Sequence, residues 1–599
     1  MTVSPDANAR LANFISTLSR FVRDEYHAQR RQIDVTWRKP IRERVAAGRA
    51  IEGVRVVGLT PEGGLQLACS RNASRFREGD ILCLNQGDPN FHPKLKVTLT
   101  QDRETQLGVA LAEIGPDLVA LVEPGSIWAL DEDTLDLSQI IVEALGEAGD
   151  RGVGIQRVLP LLMGDLRPGT DLARYERALQ QADDFGLNDD QAGAFAQAYA
   201  TNLAWLVQGP PGTGKTRVLA HLAAALAEEG ERVLITGFTH RAINNALNML
   251  ARLAPDVACA KIGSPHRADG LDDSVENAGS FAASSLAELK GGYVVGATPF
   301  ALRSQRLRGV DFETVIFDEA SQITLPLAIM GMLAGKRYAF FGDRHQLPPV
   351  LATDARDRDE GQSVFAALAD QGIVTLLTET YRLNRELAEW PSAAFYDGRL
   401  HPATPGIAAQ RIDYATPAPR LAEVLDPAHP KVFLDLGQRN TTTRSFREAG
   451  VVLDLITALL EAGVPQNEIA VVAPYRAQGR EIRNLLRQAI PDDEIRRHIV
   501  IDTVERMQGQ EREAVIVSLT TSQPSFAAQL AEFFFQPERL NVAVTRARSK
   551  LIVVGSRHVL NAQPELEEHQ ESVALYRDFL ESCAYRSYEA LSSSVKATA

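Results

Sequence analysis

Apolar residues recur at helical spacing over residues 7–31, where Leu11, Phe14, Ile15, Leu18 and Phe21 share one face of an otherwise polar segment. From about residue 50 the period shortens. Alternating stretches at Val54–Leu59, Leu65–Cys69, Ile81–Leu84, Leu95–Leu99 and Leu118–Val122 are parted by Gly, Pro, Asn and Asp, which predicts a small β-barrel or compact sheet. Helical periodicity returns over residues 135–180, broken at Gly152–Gly154 and at Pro168–Gly169.

Beyond residue 186 the pattern is of short, wholly apolar runs separated by helical stretches. Ala204–Val207, Val233–Thr236, Tyr293–Gly296, Val315–Phe317 and Tyr338–Phe341 read as buried strands. A second set follows at Val432–Leu434, Ile469–Val472, Ile499–Ile501, Val515–Leu519 and Leu551–Val554, after a charged, Asp-rich segment, Thr353–Gln362, that reads as a linker. Strands alternating with helices predict parallel sheets with right-handed crossovers, so the fold class is α/β.

Composition changes this picture little. The chain has 599 residues, 45% hydrophobic and 23% charged, as an ordinary multidomain globular protein does. No apolar run approaches membrane-spanning length, and the N-terminus lacks the basic, apolar and small-residue order of a signal peptide, so no membrane partner is expected. The four cysteines, Cys69, Cys83, Cys259 and Cys583, are too scattered for a zinc or iron–sulfur site; a reducing, cytoplasmic setting is expected. The net charge of −14 argues against coating nucleic acid non-specifically but leaves room for a local basic channel. Residues 1–50 carry ten Lys/Arg against five Asp/Glu, and residues 101–185 six against seventeen, so the first helix is the better candidate for phosphate contact.

The chemistry is concentrated after strands. Gly209-Pro210-Pro211-Gly212-Thr213-Gly214-Lys215-Thr216 follows one apolar strand and opens an Ala/Leu-rich helix. Its glycines let backbone N–H groups face phosphate oxygens at a helix N-terminus; Lys215 suits the β- and γ-phosphates, and the Thr216 hydroxyl suits Mg²⁺. Val315-Ile-Phe-Asp318-Glu319-Ala-Ser-Gln322 ends another strand, with Asp318 placed for Mg²⁺ and Glu319 for orienting and deprotonating water. ATP and Mg²⁺ are the expected cofactors. A ligand-free strand-to-helix turn and a solvated Asp-Glu pair are the alternatives, and the two motifs together disfavour both.

The order of these motifs resembles superfamily 1 helicases, in the branch that includes the up-frameshift RNA helicase, senataxin and the helicase half of the Dna-two nuclease. The resemblance covers residues 187–555 and, more loosely, the barrel. It implies two tandem RecA-like domains with parallel sheets, plus an N-terminal helical stalk and a small β-barrel accessory domain. The expected boundaries are residues 1–50 for the stalk, 51–125 for the barrel, 126–185 for the stalk's return, 186–355 for the first RecA-like domain and 356–599 for the second. It also implies roles by position. Gln191 in Leu187-Asn188-Asp-Asp-Gln191 would read the adenine edge, having both a donor and an acceptor. Gln346 in Gly342-Asp343-Arg-His-Gln346 would sense the γ-phosphate. In Glu379-Thr-Tyr381-Arg382, the Tyr381 ring would stack on the base and Arg382 face the γ-phosphate. Gly509 and Glu511, in Thr503-Val504-Glu-Arg-Met-Gln508-Gly509-Gln-Glu511, would lie at phosphate and ribose. Arg546, in Leu540-Asn541-Val-Ala-Val-Thr545-Arg546, would be an arginine finger, an effect of ~10³–10⁵ in rate in GTPases.

On the nucleic-acid side, Thr239 and His240, then Thr298, and in the second domain Pro474, Tyr475 and Thr503, sit at strand ends or helix starts. Small polar groups there can hold backbone phosphates, and aromatic or proline faces can support bases. The expected partner is single-stranded nucleic acid, DNA favoured and RNA possible, tracked 5′-to-3′ by a monomeric motor. An ATP-gated clamp that never separates strands and a P-loop ATPase acting on proteins are the competing classes. Neither the paired carboxylates and lysine of a nuclease nor a Cys/His-rich regulatory domain is expected, and residues 251–291 are too short for a large inserted domain.

Overall fold

The computed structural model describes residues 5–60, 64–70, 72, 74–76, 78–103, 105–111, 122–150, 152–264, 267–355, 359–415 and 421–589. The chain divides into two compact units: one of residues 5–155 with Leu325–Met330 and Val350–Gln362, the other of Gln156–Thr324, Gly331–Pro349 and residues 363–589.

In the first unit the opening helix, Pro5–Trp37, is longer than its apolar stripe indicates. A closed antiparallel barrel follows, built from β1 (Ala50–Leu59), β2 (Leu65–Ala68), β3 (Ile81–Asn85), β4 (Lys94–Arg103), β5 (Gln106–Leu111) and β6 (Ile127–Glu132), in the order β1-β2-β5-β4-β3-β6. Alternation puts Val54, Val56, Leu65, Leu67, Leu82, Leu84, Val97, Leu99 and Leu130 inside. The expected end at residue 125 is therefore too early, since β6 closes the barrel against both β1 and β3. Except for Val122, the expected strand Leu118–Val122 lies outside the described residues. One buried ion pair, Arg44 Nε to Asp131 Oδ1 at 2.7 Å, sits where Asn85 also donates to Asp131. The segment read as a linker also belongs to this unit. Glu25 of the first helix accepts from the backbone N–H groups of Ala352 (2.6 Å) and Thr353 (3.0 Å). Both carboxylate oxygens are thus hydrogen-bonded, and a local charge run becomes a docked segment.

The second unit holds two parallel sheets. The larger has eight strands: β7 (Ala204–Gln208), β8 (Arg232–Gly237), β9 (Cys259–Ile262), β10 (Glu276–Ala278), β11 (Tyr293–Gly296), β12 (Thr314–Asp318), β13 (Arg337–Gly342) and β14 (Val374–Leu376), in the order β10-β9-β11-β8-β12-β13-β7-β14. Because β14 pairs with β7, the first RecA-like domain extends past the expected boundary at residue 355. A two-stranded element, β15 (Glu379–Thr380) with β16 (His401–Pro402), leads to the six-stranded sheet of β17 (Lys431–Asp435), β18 (Ile469–Val472), β19 (Val500–Asp502), β20 (Arg512–Ser518), β21 (Ala547–Gly555) and β22 (Ala584–Ser587). Its order is β19-β18-β20-β21-β17-β22. Helices cover both sheets, so central strands such as β12 and β18 are buried along their whole length, which is why they read as unbroken apolar runs. The two sheets are the cores of tandem RecA-like domains. Among the described residues no helix is long and apolar enough to cross a membrane.

Candidate nucleotide cleft and nucleic-acid face

The phosphate loop leaves β7 at Gln208 and enters the helix Lys215–Glu228 through two glycines in the left-handed region, Gly212 (φ 76°) and Gly214 (φ 79°). Gly212 has a second constraint. A Cβ there would stand 2.4 Å from Cβ of Arg382 and 2.7 Å from the Thr380 hydroxyl. The second domain rests directly on the loop: Tyr381 N–H donates to Gly212 O at 2.8 Å, and the Thr380 hydroxyl to Pro211 O at 2.8 Å. Thr213 braces the turn from within, its hydroxyl donating to Pro210 O at 2.8 Å.

Gln191 lies beneath this loop. Its side chain accepts from Asn188 N–H (3.3 Å) and donates to Thr213 O (2.9 Å), closing a capping box at the helix Asp189–Ala200. Both halves of its amide are thus used on the protein. Gln191 thus braces the loop, each half of its amide keeping capacity for one more bond, and nearby stands Tyr381, 43% exposed, whose hydroxyl accepts from Asn188 at 3.0 Å.

Facing the loop, Lys215 Nζ lies 3.7 Å from Glu319 Oε2. Burial works against the Lys215 ammonium, but Glu319, Asp318 and Asp343 outweigh it and leave the pKa raised. Asp318 is pushed up to about 7, by burial first and then by Glu319, against the pull of Lys215 and the Glu319 N–H. Glu319 itself turns through the left-handed region (φ 51°), a strained conformation for a side chain of its size and one concentrated at functional sites. Thr216 and Asp318 are hard oxygen donors at the helix start and the strand end. Two such ligands completed by phosphate and water suit Mg²⁺.

From the second domain come three groups. Gln508, buried, donates to Glu319 Oε2 at 3.1 Å. Arg382 donates through Nε to Glu511 Oε2 at 2.5 Å and through Nη1 to Thr545 O at 3.2 Å. Arg546 is 2% exposed and donates to neutral oxygens: Val542 O (2.9 Å), Gln510 O (3.3 Å) and the Thr545 hydroxyl (3.3 Å). Burial, and then the neighbouring Arg382, press the Arg546 pKa down. A buried guanidinium among neutral acceptors and beside a like charge is a receptor for an anion. Glu511 is the expected ribose acceptor; in this structure its oxygens are engaged by Arg382 and by Arg548 at 3.5 Å, so it holds the arginines. Gly509 takes a left-handed φ of 74° with open space around it.

Gln346, the expected γ-phosphate sensor, donates from Nε2 to Asp343 Oδ2 at 3.0 Å. Asp343 also accepts from Gln208 (3.3 Å) and from the Tyr396 hydroxyl (2.8 Å), and Tyr396 in turn accepts from Asn541 (2.8 Å). This buried chain runs from strand ends of the larger sheet to two helices of the second RecA-like domain. Gln508, Asp343 and Asn541 stand inside the motifs, but nothing local in the sequence assigns them a role, and Tyr396 lies outside every motif.

The nucleic-acid candidates divide. Thr239 is exposed and caps the helix His240–Leu253, its hydroxyl accepting from Ala242 N–H at 3.2 Å. Beside it, burial and then Lys261 and Arg267 lower His240 to about 4, so it is a neutral imidazole at physiological pH, and its buried Nδ1 has no partner among the described residues. Phe238, half exposed just before, is an aromatic face that sequence reading missed. Thr298 caps the short helix Pro299–Leu302 without a side-chain bond to it. Pro474 is half-buried. Tyr475, the residue expected to support a base, stacks its ring on Phe533 (5.7 Å between centroids), and its hydroxyl accepts from Thr521 at 3.1 Å. Thr503 is buried at the start of the helix Val504–Met507.

A phosphate loop, a strand-end carboxylate pair and two arginines from a second RecA-like domain define the core of a P-loop ATPase shared between two domains. Family profiles described as AAA domain match residues 186–288 and 287–354, and another of the same description matches residues 361–558. The chain belongs to the superfamily 1 helicases, in the branch of the Dna-two, up-frameshift and senataxin proteins. It is 30% identical over 413 residues to the DNA replication ATP-dependent helicase/nuclease DNA2 of Homo sapiens, covering 64% of this chain and 38% of that one. It is 29% identical over 416 residues to the protein of the same name from Saccharomyces cerevisiae, covering 64% and 26%. The match thus spans between about a quarter and two fifths of those relatives' length. The Arterivirus nonstructural protein 10 helicase superposes over 84% of this chain and 76% of its own at 14% identity, with a TM-score of 0.36.

Proposed function

We propose that the protein is an ATP-dependent translocase and helicase that moves 5′-to-3′ on single-stranded DNA. The observation that carries the reading is the cleft itself. Lys215, Asp318 and Glu319 from one RecA-like domain meet Gln508, Arg382 and Arg546 from the other, and Arg546 is buried among neutral oxygens. Such a shared site makes hydrolysis depend on how the two domains meet, which is what a motor requires.

In this reading the loop N–H groups and Lys215 hold the phosphates, Glu319 takes the proton of the attacking water, and the two arginines stabilise charge on the transferring phosphoryl group. Mg²⁺ held by Thr216 and Asp318 would neutralise phosphate charge there. Thr239, His240 and Thr298 would contact one stretch of strand, with Pro474 on the other domain. ATP binding and release then change the spacing between these grips. DNA is favoured because the matched relatives are named for DNA replication, and the polarity rests on resemblance to the branch.

The test uses short duplexes bearing a single-stranded tail at one end only, in DNA and RNA versions, with ATP turnover followed alongside. Unwinding of the 5′-tailed DNA duplex with strand-stimulated turnover is expected. A requirement for a 3′ tail overturns the polarity, and stimulation by RNA alone overturns the substrate.

A further inference from the structure

We propose that Gln508 positions the attacking water, making the second domain a direct participant in ATP hydrolysis through a residue other than the two arginines. The inference rests on the motor reading above. Gln508 sits between the helix Val504–Met507 and Gly509, whose left-handed φ of 74° turns the chain. Its side chain is 9% exposed, and its Nε2 donates to Glu319 Oε2 at 3.1 Å.

That bond orients the amide. Turning it over would set its carbonyl oxygen against a carboxylate, two acceptors facing each other, so the N–H₂ end belongs on Glu319. The carbonyl Oε1 is then left over. It is buried and has no hydrogen-bond partner among the described residues. A buried amide oxygen without a donor is costly to keep, so the site calls for a donor such as a water O–H. Lys215 Nζ, 3.7 Å from Glu319 Oε2, places the phosphate-binding side of the cleft next to this pair.

A water molecule has two O–H groups and needs both directed if a lone pair is to point at phosphorus. Glu319, held at Oε2 by Gln508, receives one proton at Oε1. Gln508 Oε1 accepts the other O–H, which stays on the water. The water oxygen forms a bond to the γ-phosphorus as the bond from that phosphorus to the bridging oxygen breaks, and the electron pair leaves on the β-phosphate of ADP. The products are ADP and inorganic phosphate, and the proton on Glu319 passes to solvent. Gln508 therefore does two things with one amide: it fixes the base and it aims the nucleophile.

The experiment compares the full chain with Gln508→Met, which keeps the length and volume of the side chain but neither polar group, and with Gln508→Glu, which cannot donate to Glu319. Turnover is measured at saturating single-stranded DNA over a range of ATP, and a fluorescent non-hydrolysable ATP analogue reports binding. For Gln508→Met, kcat should fall about 10- to 100-fold while KM and analogue affinity stay within about threefold. Gln508→Glu should fall at least as far. A kcat for Gln508→Met within about twofold of wild type overturns the proposal. So does a parallel loss of analogue binding, because that pattern belongs to interface packing. Absence of turnover in the wild type with either DNA or RNA strands would instead defeat the motor reading, a result these variants cannot imitate.

Discussion

Arg382 and Arg546 look interchangeable as letters, yet their surroundings differ. Arg382 is tied to the Glu511 carboxylate at 2.5 Å, whereas Arg546 spends its N–H groups on a hydroxyl and two backbone carbonyls. A carboxylate-paired guanidinium is already partly neutralised, while one bonded to neutral oxygens keeps its field for an incoming anion. Arg546→Ala is therefore expected to lower kcat by about 10²–10³ with a much smaller change in ATP affinity, because its charge matters most as the phosphoryl group leaves. Initial-rate kinetics decide it: a raised KM at unchanged kcat would place Arg546 in ground-state binding. The arginines were legible as members of motifs. Which of them is held by a carboxylate was not, because Glu511 pairs across a fold whose geometry no local pattern carries.

At the scale of elements, the two RecA-like cores are coupled by a buried polar chain: the end of β7 (Gln208), the end of β13 (Asp343), the C-terminus of the helix Arg385–Phe395 (Tyr396) and the helix Pro537–Val544 (Asn541). Burial, and then Asp343, raise the Tyr396 pKa well above its ordinary value, so the phenol stays protonated and donates. Tyr396→Phe keeps the ring and its edge-on contact with His345 but leaves Asp343 and Asn541 each one partner short. Each loss of that kind costs about 1–3 kcal/mol. A Tm lowered by several degrees is expected, and differential scanning calorimetry showing no shift would mean that the chain does not help hold the domains. Strand placement in this region was largely legible because central parallel strands are buried on both faces. The edge strands β10, β14 and β22 and the inner strand β9 are not legible in this way: they are short, and their own residues do not form unbroken apolar runs.

For the whole molecule, a net charge of −14 has to coexist with grip on a polyanion. The candidate contacts are few and lie at strand ends, so they meet backbone and base faces rather than base edges. Affinity for single strands should then be tolerant of sequence and fall about 10- to 100-fold between 50 and 200 mM salt, as expected for a handful of neutralised phosphates. Fluorescence anisotropy with homopolymer and mixed oligonucleotides measures both, and a hundredfold preference for one sequence would contradict a strand-tracking groove.

What the amino-acid order determined by itself was whatever is written locally: the phosphate loop between strand and helix, the strand-end Asp318-Glu319 pair, the period of barrel and helix, and the succession of motifs that marks the family. Tertiary structure decided what depends on partners distant in the chain. It closed the barrel with β6, carried the first sheet on to β14, and joined the charged segment after Val350 to the opening helix through Glu25. It also turned Gln191 and Tyr475 inward and brought Gln508 onto Glu319. The physical reason is the same in each case. A side chain's type limits which bonds it can make, but burial and the nearest unsatisfied partner select among them, and both are properties of the packed chain.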